Sequence, residues 1–193
     1  NSRPLLNVQN KSFKVSVLQG ITGSGKTHVY FENVKKILKS NNQVLILFPE
    51  ITLTNQFEKR FKDFFGFKPS VWHSRVTVKE RRKIWQGVSK NKIKVVLGAR
   101  SALLLPFKSL KLIIVDEEHD ASYKQEEGSI YNARDMAILR SSIEKIPINL
   151  ISSIPSIETY NNCVNNKYKL IKINKRYQNY PLAKTKIVGV NLD

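Results

Sequence analysis

Eight residues near the start of the sequence have the types and spacing of a phosphate-binding loop. The segment GITGSGKT at 20–27 fits the pattern GxxxxGK[ST], and it lies between an apolar β-rich run and a helix-like stretch. Glycines let the backbone turn so tightly that successive N–H groups point towards phosphate oxygens. The helix after the loop adds unpaired N–H groups and the positive end of its dipole. The segment therefore predicts a nucleotide phosphate site rather than a plain glycine-rich turn.

The residues of this loop have distinct predicted roles. We expect Lys26 to reach the β and γ phosphates of ATP, and the hydroxyl of Thr27 to ligate Mg²⁺. The predicted nucleotide contacts are Gly20, Thr22, Gly23, Ser24, Gly25, Lys26 and Thr27.

A second chemical motif follows the apolar run at 112–115, which predicts a buried strand. The run ends in DEEH at 116–119, and ligands in open α/β sheets bind at the carboxyl ends of parallel strands. We expect Asp116 to hold Mg²⁺ opposite Thr27, directly or through water, and Glu117 to orient or deprotonate the attacking water. A solvated acidic loop does not explain three acids directly after an apolar strand. With Lys26 as the third catalytic residue, the two motifs predict hydrolysis of Mg–ATP.

Apolar β-rich runs alternate with helix-like stretches along the chain, and these elements must position the two motifs. The predicted strands are 15–18, 44–48, 70–72, 94–97, 112–115, 149–151 and 168–173. The predicted helices are 27–39, a helix capped by Thr54 with Phe57, Phe61 and Phe64 on its apolar face, 78–89, 132–144 and 156–165. Strands separated by helices favour βαβ units, so we predict an α/β fold with a mostly parallel sheet flanked by helices. Strand order does not follow from this pattern.

Composition bounds the class of protein. The 193 residues suit one compact domain, and no apolar run approaches the ~18 residues of a membrane span. With a single cysteine, Cys163, we expect neither a disulfide nor a Cys-cluster zinc site. We expect a cytoplasmic protein that makes no membrane contact. The formal net charge of +18 favours polyanionic partners. Most of the cations are lysines, whose AT-rich codons offer genomic composition as an alternative source of the excess.

Other segments carry a resemblance to a known family. They are PEITLT at 49–54, WHS at 72–74, GARSA at 98–102, DEEHDASYKQEEG at 116–128 and YNARD at 131–135. Together with the loop at 20–27, they resemble the primosomal protein N′ family of bacterial replication-restart helicases, in the DExH branch of superfamily 2. The resemblance runs from about residue 17 to the end of the sequence. It implies a RecA-like P-loop NTPase lobe, the ATP-binding motor of a 3′→5′ DNA helicase that acts at stalled forks.

The resemblance also implies site residues and partners. The implied DNA contacts are Glu50, Thr54, Arg100, Ser101, Tyr123, Lys124, Tyr131 and Arg134. Aromatic faces and cations are suited to binding single strands, although Tyr131 and Arg134 could instead pack and cap a helix start. The residues implied in coupling hydrolysis to movement are His119, Ser152 and Ser153. The implied partners are forked and single-stranded DNA, a second helicase lobe, and single-strand-binding and primosome proteins.

The chain departs from the family pattern in ways that define further expectations. Where the family usually carries Gly-Ser-Ala-Thr-Pro-Ser, the segment at 151–156 is ISSIPS, so Ile154 replaces a threonine hydroxyl. We divide the chain into a lead-in at 1–14, the ATP-binding lobe at 15–176, and a linker with a last short strand at 177–193. Without a second lobe, we expect weak binding, slow hydrolysis and no unwinding by the 193 residues alone. The alternatives are a non-catalytic DNA-binding remnant and another P-loop NTPase.

Overall fold

The computed structural model describes residues 12–49, 55–126 and 128–174. The strands are β1 (Lys14–Gly20), β2 (Gln43–Leu47), β3 (Ser70–Trp72), β4 (Val95–Gly98), β5 (Leu110–Val115), β6 (Lys124–Gln125), β7 (Tyr131–Asn132), β8 (Pro147–Ser152) and β9 (Lys169–Ile173). The helices are α1 (Lys26–Lys39), α2 (Asn55–Phe65), α3 (Val78–Ser89), α4 (Ala133–Ile143) and α5 (Ile157–Val164). Short 3₁₀ turns cover Arg100–Leu104 and Ala121–Tyr123.

Seven strands form one parallel sheet in the order β3-β4-β2-β5-β8-β1-β9. The strands β5, β8 and β1 are neighbours, so their carboxyl ends meet at the same edge of the sheet. The loop after β1, the acidic residues after β5 and the end of β8 therefore lie side by side. The predicted α/β class with a mostly parallel sheet flanked by helices is confirmed.

Helices cover both faces of the sheet. Along β2, Val44 and Ile46 pack with α1 and α2, whereas Leu45 and Leu47 pack with residues of α3 and α4. This alternation follows from strand geometry, because successive side chains point to opposite faces. Both faces of the central strands are buried, which explains why they form continuous apolar runs.

Side-chain caps define where three helices begin. Thr77 forms a reciprocal capping box with Glu80 at the start of α3. The side chain of Asn132 accepts from the amide of Arg134 at α4, and that of Ser156 accepts from the amide of Thr159 at α5. The predicted helices at 132–144 and 156–165 thus each included their capping residue.

Some elements differ from the sequence prediction. The β6–β7 pair is an antiparallel hairpin that was not predicted, because two-residue strands leave no periodic signal. The predicted cap Thr54 and the predicted last short strand within 177–193 lie outside the described residues. Across the described ranges, no helix has both the length and the apolar character required to cross a bilayer.

Candidate functional site

The glycine-rich segment between β1 and α1 forms a tight loop that requires glycine at two positions. Gly23 and Gly25 have φ of 79° and 87°, in the left-handed region that L side chains rarely adopt. The amide of Ser24 donates to the carbonyl of Ile21 at 3.0 Å, which closes the turn. Gly25 is the residue before α1, so the first amides of that helix face the loop.

The start of the loop is closely packed and polar. A Cβ on Gly20 would lie 2.5 Å from Oγ of Ser24 and 3.3 Å from Cβ of Ile173. Ser24 is 7% exposed, and its buried Oγ has no hydrogen-bond partner within the described part of the chain. A buried hydroxyl donor beside backbone amides suits an anionic ligand.

Lys26 folds back over this loop. Its Nζ donates a hydrogen bond of 2.6 Å to the carbonyl oxygen of Gly20. The ammonium group is therefore held over the concave side of the loop, where the sequence predicts phosphate.

Asp116, directly after β5, has a buried and hydrogen-bonded carboxylate. Oδ2 accepts from the hydroxyl of Tyr30 at 2.9 Å, and Oδ1 accepts from the amide of Glu117 at 3.0 Å. Burial is the main cause that raises the pKa of Asp116 to about 6; the hydrogen bond from Tyr30 lowers this pKa, and the negative charge of Glu117 raises it. Asp116 is thus a poorly solvated carboxylate that a cation would stabilise in its ionised form.

Glu117 is the non-glycine residue of this motif in a left-handed conformation, with φ of 45°. Such backbone conformations persist only where the surroundings fix them, and they cluster at functional sites. Here the amides on either side of Glu117 are fixed by the sheet. The amide of Asp116 donates to the carbonyl oxygen of Leu47 in β2 at 2.9 Å, and the amide of Glu118 donates to the carbonyl oxygen of Ile151 in β8 at 3.0 Å.

A pocket of about 370 Å³ joins the two motifs. It is lined by Thr22, Gly23, Ser24, Gly25, Lys26, Thr27, His28, Arg60, Asp116 and Glu117. The structure therefore brings the four predicted catalytic and metal-binding side chains to one cavity. Arg60, which α2 contributes, was missed in the sequence because nothing local connects it to either motif. Arg60 and His28 also line a neighbouring pocket of about 460 Å³ between α1 and α2.

The predicted coupling residues lie at the end of β8 and beside Glu117, which lines this cavity. Nδ1 of His119 is 2.7 Å from Oγ of Ser152, the last residue of β8. The same nitrogen lies 3.7 Å from Oε2 of Glu117. His119 thus contacts both the acidic motif and the segment that follows β8. Ser153 is half-buried beside Ser152.

Two of the predicted DNA contacts, Tyr123 and Arg134, are buried in this structure. Tyr123 is 1% exposed, and its hydroxyl donates to the carbonyl oxygen of Asp116 at 2.6 Å. Burial raises the pKa of Tyr123 well above its usual value. Arg134 is 7% exposed and its guanidinium bonds Asp135 and Glu118. In this structure both side chains contact the acidic motif, and their roles at DNA stay predictions. The sequence offered a second role for Arg134, which was to pack at the start of a helix. Its buried position in the first turn of α4 agrees with that alternative.

The other predicted DNA contacts lie nearer the surface. Nη1 of Arg100 donates to the carbonyl of Lys124 at 2.8 Å, and Oγ of Ser101 accepts from Nε1 of Trp72 at 3.1 Å. The ammonium of Lys124 is exposed and lies 3.1 Å from Glu126. Tyr131 is half-buried against the core. Glu50 and Thr54 lie outside the described residues, so their roles stay predictions.

The family profile described as "DEAD/DEAH box helicase" matches residues 6–160. The chain is 46% identical over 183 residues to the protein named Replication restart protein PriA of Rickettsia conorii, which covers 95% of this chain and 28% of that protein. It is 38% identical over 177 residues to the protein of the same name in Bacillus subtilis, covering 92% of this chain and 22% of that one. The chain thus spans roughly a quarter of the length of these relatives.

Solved structures share the fold at low sequence identity. The structure of RecG bound to a three-way DNA junction superposes with a TM-score of 0.58 at 22% identity, over 82% of this chain and 20% of that one. The Hef helicase domain of Pyrococcus furiosus superposes with a TM-score of 0.57 at 19% identity, over 84% of this chain and 36% of that one. These likenesses support the predicted RecA-like architecture.

Proposed function

The chain belongs to the DEAD/DEAH box helicase family, and on that basis we propose that it is an ATP-binding motor lobe of a DNA helicase that acts in replication restart. The observation that carries the proposal is the single cavity lined by Lys26, Thr27, Asp116 and Glu117. The replication-restart role is supported by the names of relatives that match more than nine-tenths of the chain. Movement in the 3′→5′ direction is part of the same proposal.

The residues at the cavity fit Mg–ATP. We assign the phosphates to the amides of the loop at 22–27, to the buried hydroxyl of Ser24 and to Lys26, whose ammonium exchanges its bond with Gly20 for phosphate oxygens. Thr27 and Asp116 would hold Mg²⁺, an ion that prefers hydroxyl, carboxylate and water oxygens. When bound, Mg²⁺ neutralises charge on the phosphate oxygens.

Glu117 is assigned to the attacking water. Its side chain is about one-third exposed and lines the same cavity as Lys26, so it can accept a proton or a hydrogen bond from a water there. We therefore assign Asp116 to the metal ion and Glu117 to the attacking water.

We assign the nucleoside of ATP to the neighbouring pocket between α1 and α2. This pocket shares His28 and Arg60 with the phosphate cavity, and Phe64 and Asp63 also line it. The rings of His28 and Phe64 lie 6.0 Å apart, and a guanidinium can stack on a base. Asp63 could accept from a ribose hydroxyl.

For DNA, we propose a path along the residues near the surface, Arg100, Ser101 and Lys124. The net charge of +18 supports attraction to phosphate. We further propose that 15–176 is the ATP-binding lobe and that 177–193 leads to a second lobe. Single-strand-binding and primosome proteins are proposed as partners.

The test is ATP turnover by this chain with no DNA, with single-stranded DNA and with a forked duplex. A motor lobe predicts slow Mg-dependent turnover that either DNA accelerates. The same rate of ATP turnover with and without DNA would indicate another P-loop NTPase. DNA binding without nucleotide binding would indicate a non-catalytic module.

A salt titration tests the DNA path. Phosphate contacts predict that the logarithm of the binding constant falls linearly with the logarithm of salt concentration. The variant Lys124→Ala should reduce that slope by about one, whereas Lys36→Ala, on the exposed end of α1, should leave it unchanged. Equal slopes for all three proteins would remove Lys124 from the DNA path.

A further inference from the structure

Two neighbouring residues of the acidic motif hold the two ends of one loop. The loop is 152–156, which joins β8 to α5. At its first residue, Oγ of Ser152 lies 2.7 Å from Nδ1 of His119. At its last residue, the amide of Ser156 donates to Oε1 of Glu118 at 2.8 Å. Five residues of chain are thus fixed at both ends by the pair Glu118–His119.

Glu118 is placed deep in the molecule. Its side chain is fully buried, with an exposed fraction of 0%. Besides Ser156, it accepts a bond of 2.9 Å from the hydroxyl of Thr159 and lies 3.3 Å from Nη1 of Arg134. A buried carboxylate is costly unless it is paired and hydrogen-bonded, so this arrangement depends on all of these partners together.

Arg134 completes the arrangement from α4. Its Nη1 donates to Oγ of Ser156 at 2.7 Å, and its Nε donates to Asp135 at 2.8 Å. One planar guanidinium therefore connects the start of α4, the start of α5 and the acidic motif. Lysine could not reproduce these bonds, because an ammonium is a point donor without the fixed fork.

We infer that Arg134 and Glu118 are positioning residues for ATP hydrolysis: the buried Glu118–Arg134 pair holds the loop 152–156 against the acidic motif and thereby fixes Glu117 and His119. The inference rests on the proposed function for the reaction itself. Neither residue lines the phosphate cavity, so their loss acts on hydrolysis rather than on nucleotide binding. Glu117, whose left-handed backbone needs fixed neighbours, is the group most affected.

The experiment compares Arg134→Lys with wild type in the 193-residue chain. Hydrolysis in a single turnover should slow by about ten- to a hundredfold, since a displacement of about 1 Å at the reacting groups costs up to about 10²-fold. The dissociation constant for a fluorescent ATP analogue should stay within about twofold, because the removed contacts are not ligand contacts. The NMR signal of Nδ1 of His119 should move towards its position in Ser152→Ala.

Arg140→Lys is the matched control. Arg140 lies on the same helix, pairs with Glu144 at 2.6 Å and donates to backbone carbonyls of Leu103 and Leu105, but it does not contact the acidic motif. The Arg140→Lys variant should be less stable than wild type, but its His119 signal and its ratio of hydrolysis to binding should not change.

Several outcomes would overturn the inference. Unchanged hydrolysis and an unchanged His119 signal in Arg134→Lys would do so, as would a parallel fall of hydrolysis, binding and thermal stability. If Arg134→Lys does not fold, Asp135→Asn tests the same point, because Asp135 is largely exposed and its loss leaves no charge buried alone. If wild type shows no Lys26-dependent nucleotide binding, the proposed function fails, whereas the His119 signal still decides whether Arg134 holds the loop.

Discussion

The hydroxyl of Tyr30 donates a hydrogen bond of 2.9 Å to Oδ2 of Asp116 across 86 residues of sequence. Tyr30 lies one helical turn after Thr27, on the helix that begins in the phosphate loop. The bond therefore ties the phosphate-binding and acidic halves of the cavity together. Since both side chains are buried, the distance between the two motifs is set by the packing of α1 on β5.

We expect Tyr30→Phe to destabilise the protein by about 1.5–3 kcal/mol, the usual worth of a hydrogen bond to a charged group. The pKa of Asp116 should rise above 6 in this variant, because a donor that stabilises the carboxylate is removed. Urea denaturation at pH 8 measures the loss of stability. The control is Tyr160→Phe, whose tyrosine is half exposed on α5 and should change stability little. Equal stabilities of Tyr30→Phe and wild type would contradict the account.

Asp116→Asn should raise stability at neutral pH while removing Mg-dependent hydrolysis. Burial raises the pKa of Asp116 from 3.8 to about 6 in the folded protein, so the ionised carboxylate opposes folding above pH 6. The gain in the variant is about 2–3 kcal/mol at pH 8. As pH falls through 6 the folded wild type takes up a proton before the unfolded chain does, so its stability rises relative to the variant. The difference should level off below about pH 4. Denaturation without Mg²⁺ at several pH values checks this, and a pH-independent difference would refute it.

Two glycine substitutions in the loop should act by different physical causes. Gly20→Ala places a Cβ 2.5 Å from Oγ of Ser24, so the loop must shift. A Cβ on Gly23 would have no atom within 4 Å, so Gly23→Ala is strained only by the left-handed φ of 79°. We expect Gly23→Ala to cost about 1–2 kcal/mol of stability, and Gly20→Ala to weaken nucleotide binding more strongly. Binding and thermal unfolding of both variants measure this. Nucleotide binding by Gly20→Ala at wild-type strength would show that the loop geometry is wrong.

Ile154→Thr tests the departure from the family pattern. Ile154 is 73% exposed, so its replacement should change stability by no more than about 0.5 kcal/mol. The added hydroxyl lies in the loop that follows Ser152 and Ser153, where it restores a hydrogen-bonding group. We expect DNA to stimulate hydrolysis more in the variant than in wild type, which a turnover assay with and without DNA measures. Stimulation equal to that of wild type would show that the loop couples ATP hydrolysis to DNA binding without this hydroxyl.

Much of the fold was predictable because its signals are local. The phosphate loop needs glycines at fixed spacing, and buried parallel strands form continuous apolar runs. The bounds of β3 and α3 match the predicted ones. Capping side chains at Thr77, Asn132 and Ser156 mark helix starts for the same reason. Strand order was not predictable, because it depends on which strands pair across long connections.

The cavity was less predictable than the loop that begins it. Tyr30 and Arg60 join the site only through the packing of α1 and α2, and no local spacing identifies them. Tyr123 and Arg134 were predicted to contact DNA because their types suit single strands, and the sequence did not indicate that both side chains are buried against the acidic motif. Residue type indicates which chemistry a side chain can perform, whereas tertiary contacts determine where that side chain lies.

The proposed function requires that this cavity bind Mg–ATP through Lys26. The most direct measurement is a calorimetric titration of Mg–ATP into wild type and Lys26→Ala, with Lys36→Ala as the exposed control on the same helix. We expect wild type and Lys36→Ala to bind Mg–ATP, and Lys26→Ala to lose about tenfold or more in affinity, the size expected for one charge-assisted contact. Equal affinity in all three proteins, or no binding by wild type, would contradict it.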